Sequence, residues 1–355
     1  MPIFAYWTCL AMSRFELTHS IRELKLKHVF TISRGSKNSV KNVFIQLSKN
    51  GITGLGEAAP NKRYNAPAEL VTEEPENFDS SVLDDIDNLN DIERILDEFT
   101  TKLSASTKVA IEMAWLDWWG KTLQKPLYKL LGYTHHHTPS TSYTIGIDSL
   151  EVMREKVKEA SSYPILKIKL GTERDREIIK AIRSITKKPI RVDANEGWKT
   201  IDQAKREIEF LTAHDIEMVE QPMPSYMLKE MELLKKFSPI SLCADESFIG
   251  EESLDKVSLA FDCINIKLMK IGSVLKAMRV LEKAHQLGLK VMVGCMVESS
   301  LAIGAGALVG LGADYVDLDG NLLIVNDPFK GQIKLSKDCE LVLPNHSPGM
   351  GLLTL

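Results

Sequence analysis

The sequence of 355 residues is poor in cysteine and has no excess of basic charge. Its cysteines number five, and no two of them are spaced as C-x-x-C, so we expect neither a disulfide framework nor a zinc site. A net charge of −4 and a pI near 6.1 argue against nucleic acid or an anionic membrane surface as a partner. No apolar run approaches the length that spans a bilayer. These absences predict a cytoplasmic protein that binds neither nucleic acid nor a membrane.

The first third of the chain has the pattern of a mixed α+β domain. The segments "ELKLKHVFTI" and "NVFIQLSKNGITGLGEAAP" alternate like strands, and "KNG" between the arms of the second predicts a hairpin turn. The segment "STKVAIEMAWLDWWGKTLQ" is apolar with the spacing of a helix. We therefore predict that strands and helices of this region form one domain.

After Pro139, short apolar strands alternate with amphipathic helices. Eight strand-like runs follow one another at intervals of about 22–27 residues, which is the pattern of a parallel (β/α)8 barrel. We predict an extended or disordered tail at residues 1–12, an α+β domain at 13–137, a barrel at 138–322, and a segment at 323–355 that returns to the first domain.

Three carboxylates end three consecutive barrel strands. Asp193 ends "PIRVD", Glu220 ends "IEMVE", and Asp245 follows "ISLCA". Active sites of such barrels lie at the carboxyl ends of the strands, and three crowded carboxylates repel one another unless a cation lies among them. Oxygen ligands with open positions suit Mg²⁺. The alternative for each carboxylate alone is a cap on the following helix.

Lysines end two other strands of the predicted barrel. Lys167 and Lys169 lie in "LKIK" on one side of the second strand, because side chains alternate along a strand. Lys267 ends the sixth strand, across the barrel mouth. A substrate carbon between Lys169 and Lys267 could lose a proton to one of them, and a neighbouring metal ion would lower the pKa of the base. Lys270 is expected to be an ordinary surface lysine.

Taken together, these motifs resemble the enolase superfamily in its muconate lactonizing enzyme subgroup. The resemblance rests on "GEAAP", "KPLYKLLG", "KIK", "VDAN", "VEQPM", "ADES" and "NIK", which cover nearly the whole chain. It implies a (β/α)7β-type TIM barrel with an N-terminal α+β capping domain completed by the C-terminal segment. It also implies that Lys169 and Lys267 are the acid/base pair, and that Asp193, Glu220 and Asp245 are the Mg²⁺ ligands.

Two bases on opposite sides of one carbon suit a 1,1-proton transfer, although related enzymes that dehydrate or cycloisomerise carry the same pair. Asp317 and Asp319 in "DLDG" resemble the Asp-x-Asp motif of dipeptide epimerases, which holds the free ammonium of the substrate. We therefore favour a dipeptide epimerase. The alternatives are an N-acylamino-acid racemase, an o-succinylbenzoate synthase, a muconate-type cycloisomerase, and a silent peptide-binding protein.

Four further residues are candidates for substrate binding. Lys167 is expected to contact the substrate carboxylate or to keep Lys169 neutral. By resemblance to Ala-Glu epimerases, Arg34 pairs with an acidic side chain of the second residue, as in L-Ala-D/L-Glu, and Arg63 is a second candidate. Met296 is expected to line the pocket. The sequence leaves open whether the protein is a monomer or a homo-oligomer.

Overall fold

The computed structural model describes residues 14–86, 88–99, 102–329 and 333–352. The tail that we predicted at residues 1–12 lies outside the described residues. Within the described chain no helix is both long enough and apolar enough to cross a membrane.

The strands of the described chain, in order, are β1 (Glu16–Ile32), β2 (Gly35–Lys49), β3 (Ile52–Ala58), β4 (His137–Ser140), β5 (Ser142–Ile145), β6 (Ile165–Lys169), β7 (Ile190–Asp193), β8 (Ile216–Glu220), β9 (Ser241–Ala244), β10 (Cys263–Lys267), β11 (Lys290–Gly294), β12 (Tyr315–Asp317), β13 (Lys334–Leu335) and β14 (Glu340–Val342). The α-helices are α1 (Ala68–Glu73), α2 (Leu89–Phe99), α3 (Ala105–Thr122), α4 (Leu127–Leu130), α5 (Leu150–Glu159), α6 (Asp175–Arg183), α7 (Ile201–Thr212), α8 (Leu228–Phe237), α9 (Leu254–Ala260), α10 (Leu268–Ile271), α11 (Val274–Gln286) and α12 (Ser300–Gly310).

The N-terminal domain is an antiparallel sheet, β1-β2-β3, with helix α3 packed across it. The hydroxyl of Ser104 accepts a hydrogen bond from the amide of Thr107 and caps α3. The helix lies so close to the sheet that a Cβ at Gly56 would be 1.8 Å from the carbonyl oxygen of Ala110. Only glycine at this position allows the contact. The predicted α+β domain is confirmed.

Strands β5 to β12 form an eight-stranded sheet in which all neighbours are parallel. A parallel bridge between Thr141 and Val316 joins its two ends and closes the barrel. A helix follows every barrel strand except β12, since the described residues 318–329 and 333–352 contain no α-helix. The predicted (β/α)7β barrel is therefore confirmed.

Two buried carboxylates of the N-terminal domain join it to the barrel. Glu112 on α3 accepts hydrogen bonds from the hydroxyl of Ser273 at 2.9 Å and the amide of Val274, at the start of α11. Glu57 on β3 accepts from the amide of Ser299 at 3.0 Å and from its hydroxyl at 2.5 Å, at the start of α12. Each carboxylate satisfies amides that the helix leaves free, so the two domains share a polar as well as an apolar interface.

The C-terminal segment runs back along the N-terminal domain. The amide of Lys27 donates to the carbonyl of Leu323, and the amide of Val325 donates to that of Lys25, both at 2.9 Å. Further along, the amide of Leu127 donates to the carbonyl of Gly349 at 2.8 Å. These contacts support our proposal that residues 323–355 complete the capping domain, although the domain limits stay a prediction.

Candidate active site

Three carboxylates meet at the carboxyl ends of β7, β8 and β9. Asp193 and Glu220 are the last residues of β7 and β8 and are paired in the parallel register, and Asp245 follows the last residue of β9. One oxygen from each of the three lies within 4.8 Å of the others, and all three residues are buried. The strands themselves bring these carboxylates together, because parallel strands in register end at one level.

Lysine ammonium groups surround this cluster of three carboxylates. The Nζ of Lys169 lies 2.6 Å from Asp193 Oδ2, and the Nζ of Lys267 lies 2.8 Å from Asp245 Oδ2. The two lysines therefore approach the cluster from opposite sides, one at β6 and one at β10. Both are buried.

The third predicted lysine, Lys167, lies deeper in the barrel. Its Nζ is 2.6 Å from Glu220 Oε2, 2.6 Å from Asp317 Oδ2 and 3.6 Å from Asp193 Oδ2. Although burial works to lower it, these carboxylates, Asp317 above all, raise the pKa of Lys167 well above its ordinary value. Lys167 thus links the three-carboxylate cluster to the end of β12 as a fixed positive charge.

Lys270 also belongs to this site, and the prediction that it is a surface lysine is wrong. Its Nζ is buried and donates to Asp245 Oδ1 at 2.8 Å and to the backbone carbonyls of Asp245, Phe248 and Asn265. The short helix α10 begins directly after β10 and turns Lys270 back toward Asp245. Asp245 is therefore held by two ammonium groups, those of Lys267 and Lys270.

Burial and neighbouring charges set the protonation of the cluster. Burial works to raise the pKa of Asp193, but the ammonium groups of Lys169 and Lys167 hold it below its ordinary range. The pKa of Asp245 is likewise lowered, by Lys267 and Lys270 against the effect of burial. Burial and the negative charge of Asp193 raise the pKa of Glu220.

The surroundings of the cluster fit a hydrated divalent cation. Next to the three carboxylates lie three buried oxygen atoms that have no hydrogen-bond partner among the described residues: Asn195 Oδ1, Asn265 Oδ1 and Glu246 Oε2. The amide nitrogen of Asn195 donates to Asp193 and that of Asn265 to Glu220, and Glu246 follows Asp245. All three free atoms are acceptors, which suits the water molecules that Mg²⁺ keeps when it binds to few protein ligands. The carboxylates could therefore hold a metal ion.

Asp317, the last residue of β12, and Asp319, two residues later, differ in their contacts. Asp317 accepts from the hydroxyl of Ser142 at 2.5 Å and pairs with Lys167, which holds its pKa at about 2 in spite of burial. Asp319 accepts from the amide of Thr144 at 2.6 Å and forms no ion pair with any described residue. Burial and the charge of Asp317 raise the pKa of Asp319 to about 6. Asp319 is thus the aspartate that lacks a cationic partner.

Arg34 and Met296 come from opposite sides of the site. Arg34, in the turn between β1 and β2, binds Glu246 Oε1 at 2.7 Å and Glu196 Oε2 at 3.3 Å. Met296, after β11, accepts a hydrogen bond from the side chain of Asn61 at 3.4 Å. Sequence reasoning missed Glu196, Glu246 and the other buried polar neighbours of the cluster. For Asn265 a signal existed, since it lies two residues before Lys267 and so on the same side of β10.

The N-terminal domain and the barrel each match a known protein family. Residues 16–132 match the family described as mandelate racemase / muconate lactonizing enzyme, N-terminal domain, and residues 151–352 match the enolase C-terminal domain-like family. The chain is 39% identical over 343 residues to the L-Ala-D/L-Glu epimerase of Bacteroides thetaiotaomicron, covering 96% of this chain and 88% of that protein.

Two solved structures share this architecture. The substrate-liganded L-Ala-D/L-Glu epimerase from Bacillus subtilis is similar with a TM-score of 0.87 and 27% identity, covering 96% of this chain and 99% of that one. The dipeptide epimerase from Enterococcus faecalis V583, complexed with Mg and L-Leu-L-Tyr, has a TM-score of 0.85 and 28% identity, with coverage of 96% and 99%.

Proposed function

Because the chain belongs to the mandelate racemase / muconate lactonizing enzyme family of the enolase superfamily, we propose that it is an isomerase that epimerises dipeptides. The reaction is a 1,1-proton transfer at the α-carbon of the C-terminal residue. A relative supports this activity, since L-Ala-D/L-Glu epimerase is the name of the protein that is 39% identical over 343 residues, or 96% of this chain.

One observation of the structure carries the proposal. Lys169 and Lys267 are buried lysines that approach one carboxylate cluster from opposite sides. A protein that only binds a peptide has no use for two opposed bases, whereas related enzymes that dehydrate or cycloisomerise carry the same pair and are distinguished by Asp319 below. An enzyme that inverts a carbon needs a base on one face and an acid on the other.

The proposed roles follow from these positions. Lys169 takes the α-proton from one face of the substrate carbon, and Lys267 returns a proton to the other face; the roles exchange for the opposite diastereomer. Asp193, Glu220 and Asp245 would hold Mg²⁺, which supplies positive charge beside the substrate carboxylate when bound. Lys167 stays a proposed substrate-binding residue, and its contacts place it between the metal ligands and Asp317.

The carboxylate of Asp319, which has no cationic partner among the described residues, favours a dipeptide over the alternatives. A buried acid without a cationic partner at the end of β12 is a suitable site for the ammonium group of an N-terminal residue. The substrates of an N-acylamino-acid racemase, an o-succinylbenzoate synthase or a muconate-type cycloisomerase have no ammonium group for it. We propose L-Ala-D/L-Glu or a related dipeptide as substrate, with Met296 lining the pocket.

The buried free thiols Cys243 and Cys263 support a reducing compartment such as the cytoplasm.

Proton NMR in D₂O tests the proposal directly. With Mg²⁺ present, the wild-type protein should remove the α-proton signal of the second residue of L-Ala-L-Xaa dipeptides and produce the L,D diastereomer. Chelation by EDTA should stop both changes. Lys169→Met and Lys267→Met should each exchange the α-proton of only one diastereomer, and not the same one, without interconverting the two.

Lys188→Met is a matched control. Lys188 precedes β7 at the opposite face of the barrel and, within the described part of the chain, donates only to backbone carbonyls, so this variant should keep full epimerisation. If either active-site variant epimerises at the wild-type rate, the two-base mechanism is wrong. If an N-acylamino acid exchanges its α-proton and no dipeptide does, the proposed ammonium site at Asp319 is wrong. That result would favour the N-acylamino-acid racemase.

A further inference from the structure

Two loops of the capping domain converge on one carboxylate of the barrel. Arg34 lies in the turn between β1 and β2, and Arg63 lies in the short turn after β3. Arg34 Nη1 is 3.3 Å from Glu196 Oε2, and Arg63 Nη2 is 2.7 Å from Glu196 Oε1. The side chain of Glu196 is only 10% exposed, whereas those of Arg34 and Arg63 are 37% and 36% exposed. The two arginines thus cover the carboxylate, and they are themselves partly exposed to solvent.

The backbone holds Glu196 in place for this contact. Asn195 and Glu196 both adopt positive φ, at 43° and 65°, a conformation that costs non-glycine residues free energy and that persists where surrounding contacts enforce it. The amide of Glu196 donates to the carbonyl of Gln221 at 2.8 Å, and its carboxylate accepts from the amide of Ser225 at 2.9 Å. Lys199 binds the backbone carbonyl of Glu196 and leaves the carboxylate to the arginines.

This group of charges lies next to the reacting centre. Asn195 donates its side-chain amide to Asp193 at 3.2 Å and to Glu246 at 3.4 Å, and Arg34 binds the same oxygen of Glu246 at 2.7 Å. Asp319, the proposed ammonium site, follows β12 on the other side of the barrel. A dipeptide that extends from the carboxylate cluster toward Asp319 must therefore direct its second side chain elsewhere, under the cap loops that carry the arginines.

We propose that Glu196 determines which second residue the enzyme accepts. This inference rests on the proposed epimerisation of dipeptides. Two guanidinium groups face two carboxylates, Glu196 and Glu246, so the pocket offers little net positive charge to an acidic side chain. Arg34, which the sequence suggested as the partner of a substrate glutamate, is shared with these two carboxylates. Glu196 thereby keeps the pocket open to uncharged second residues and weakens the preference for glutamate.

The test compares two substrates of the same shape that differ in one charge. For the full-length wild-type protein with Mg²⁺, kcat/KM is measured for L-Ala-L-Glu and for L-Ala-L-Gln, and their ratio is the readout. In Glu196→Gln the loss of one negative charge should raise this ratio about tenfold at low ionic strength, chiefly through KM, because removing a like charge favours the acidic substrate. Salt at 0.5 M should reduce the gain.

A second variant makes the test independent of whether Glu196→Gln folds well. Arg63→Gln removes one of the two partly exposed positive charges and should lower the Ala-Glu to Ala-Gln ratio. The matched control is Glu207→Gln, which breaks a comparable glutamate–arginine pair with Arg176 on the outer helices and should leave the ratio unchanged.

Opposite shifts of the ratio in the two variants would support the proposal. If the ratio stays within twofold of wild type in both variants, the proposal is wrong. Turnover of either dipeptide would still establish the epimerase activity. If the wild-type protein epimerises no dipeptide at all, the proposed function fails, and this inference fails with it.

Discussion

A buried glutamate between the two domains should make the stability of this protein depend on pH. Glu112 on α3 is completely buried, and its carboxylate accepts hydrogen bonds from the amide of Val274 and the hydroxyl of Ser273. Burial raises its pKa from the ordinary value near 4.5 to about 7, against the lowering effect of these hydrogen bonds. The protonated form is therefore the one that the folded protein favours.

The sign and size of the effect follow from linkage. A carboxyl whose pKa is higher in the folded state stabilises the fold below pH 4.5, and that contribution is lost as the pH rises through about 7. At 1.36 kcal/mol for each pKa unit, the loss is about 3 kcal/mol. Glu112→Gln has the shape and hydrogen-bonding pattern of the protonated glutamate. We expect the variant to be within about 1 kcal/mol of wild type at pH 5 and about 3 kcal/mol more stable at pH 8.5.

Urea unfolding at the two pH values measures this difference. Trp115, Trp118 and Trp119 lie on the same helix as Glu112 and give a fluorescence signal for the domain. Glu98→Gln serves as control, because Glu98 is an exposed partner of Arg94 and should show no change between the two pH values. If the stability difference between Glu112→Gln and wild type is the same at pH 5 and pH 8.5, Glu112 does not titrate in this range and the reasoning is wrong.

Two other predictions concern the site itself. Because the pKa of Asp319 is raised to about 6, the wild-type KM for dipeptides should rise as the pH falls below 6 and the carboxylate takes up a proton. Asp319→Asn should raise that KM about tenfold and remove its dependence on pH. Steady-state kinetics between pH 5 and 8 measure both effects, and a variant whose KM follows that of wild type would contradict the prediction. Lys270→Met removes an ammonium group that holds Asp245 and three carbonyls. It should cost about 3 kcal/mol of stability, and an unchanged unfolding midpoint would contradict the contacts described.

The architecture and the residues at the strand ends could be predicted from the sequence. Barrel strands are short apolar runs, and each polar residue that ends such a run must lie at the mouth of the barrel. Asp193, Glu220 and Lys267 were found in this way, and the structure brings them together as expected. The alternation of side chains was sufficient because these residues lie on strands whose register is fixed by their neighbours.

Lys270 shows where this reasoning stops. It lies three residues after Lys267, and on a continuing strand the two side chains would point to opposite faces. The chain instead forms helix α10 directly after β10 and ends it at Gly272 in the left-handed conformation. One helical turn returns Lys270 to the carboxylate that Lys267 already holds. The partners of Arg34 could not be predicted either, because Glu196 and Glu246 come from loops 162 and 212 residues away.

The buried charges around the barrel mouth give a physical reason for a neutral base in the complete complex. The buried charges at the ends of the barrel strands include four lysines and five carboxylates, namely Lys167, Lys169, Lys267, Lys270, Asp193, Glu220, Asp245, Asp317 and Asp319. Glu196 and Glu246 beside this set are offset by their ion pairs with Arg34 and Arg63. A divalent cation added to this set, together with a dipeptide whose second side chain is uncharged and which therefore carries one charge of each sign, leaves one excess positive charge. Net charge in a buried site is costly, and loss of one lysine proton removes it. The proposed metal ligands, ammonium site and base are therefore linked, since each contributes a charge to one buried balance.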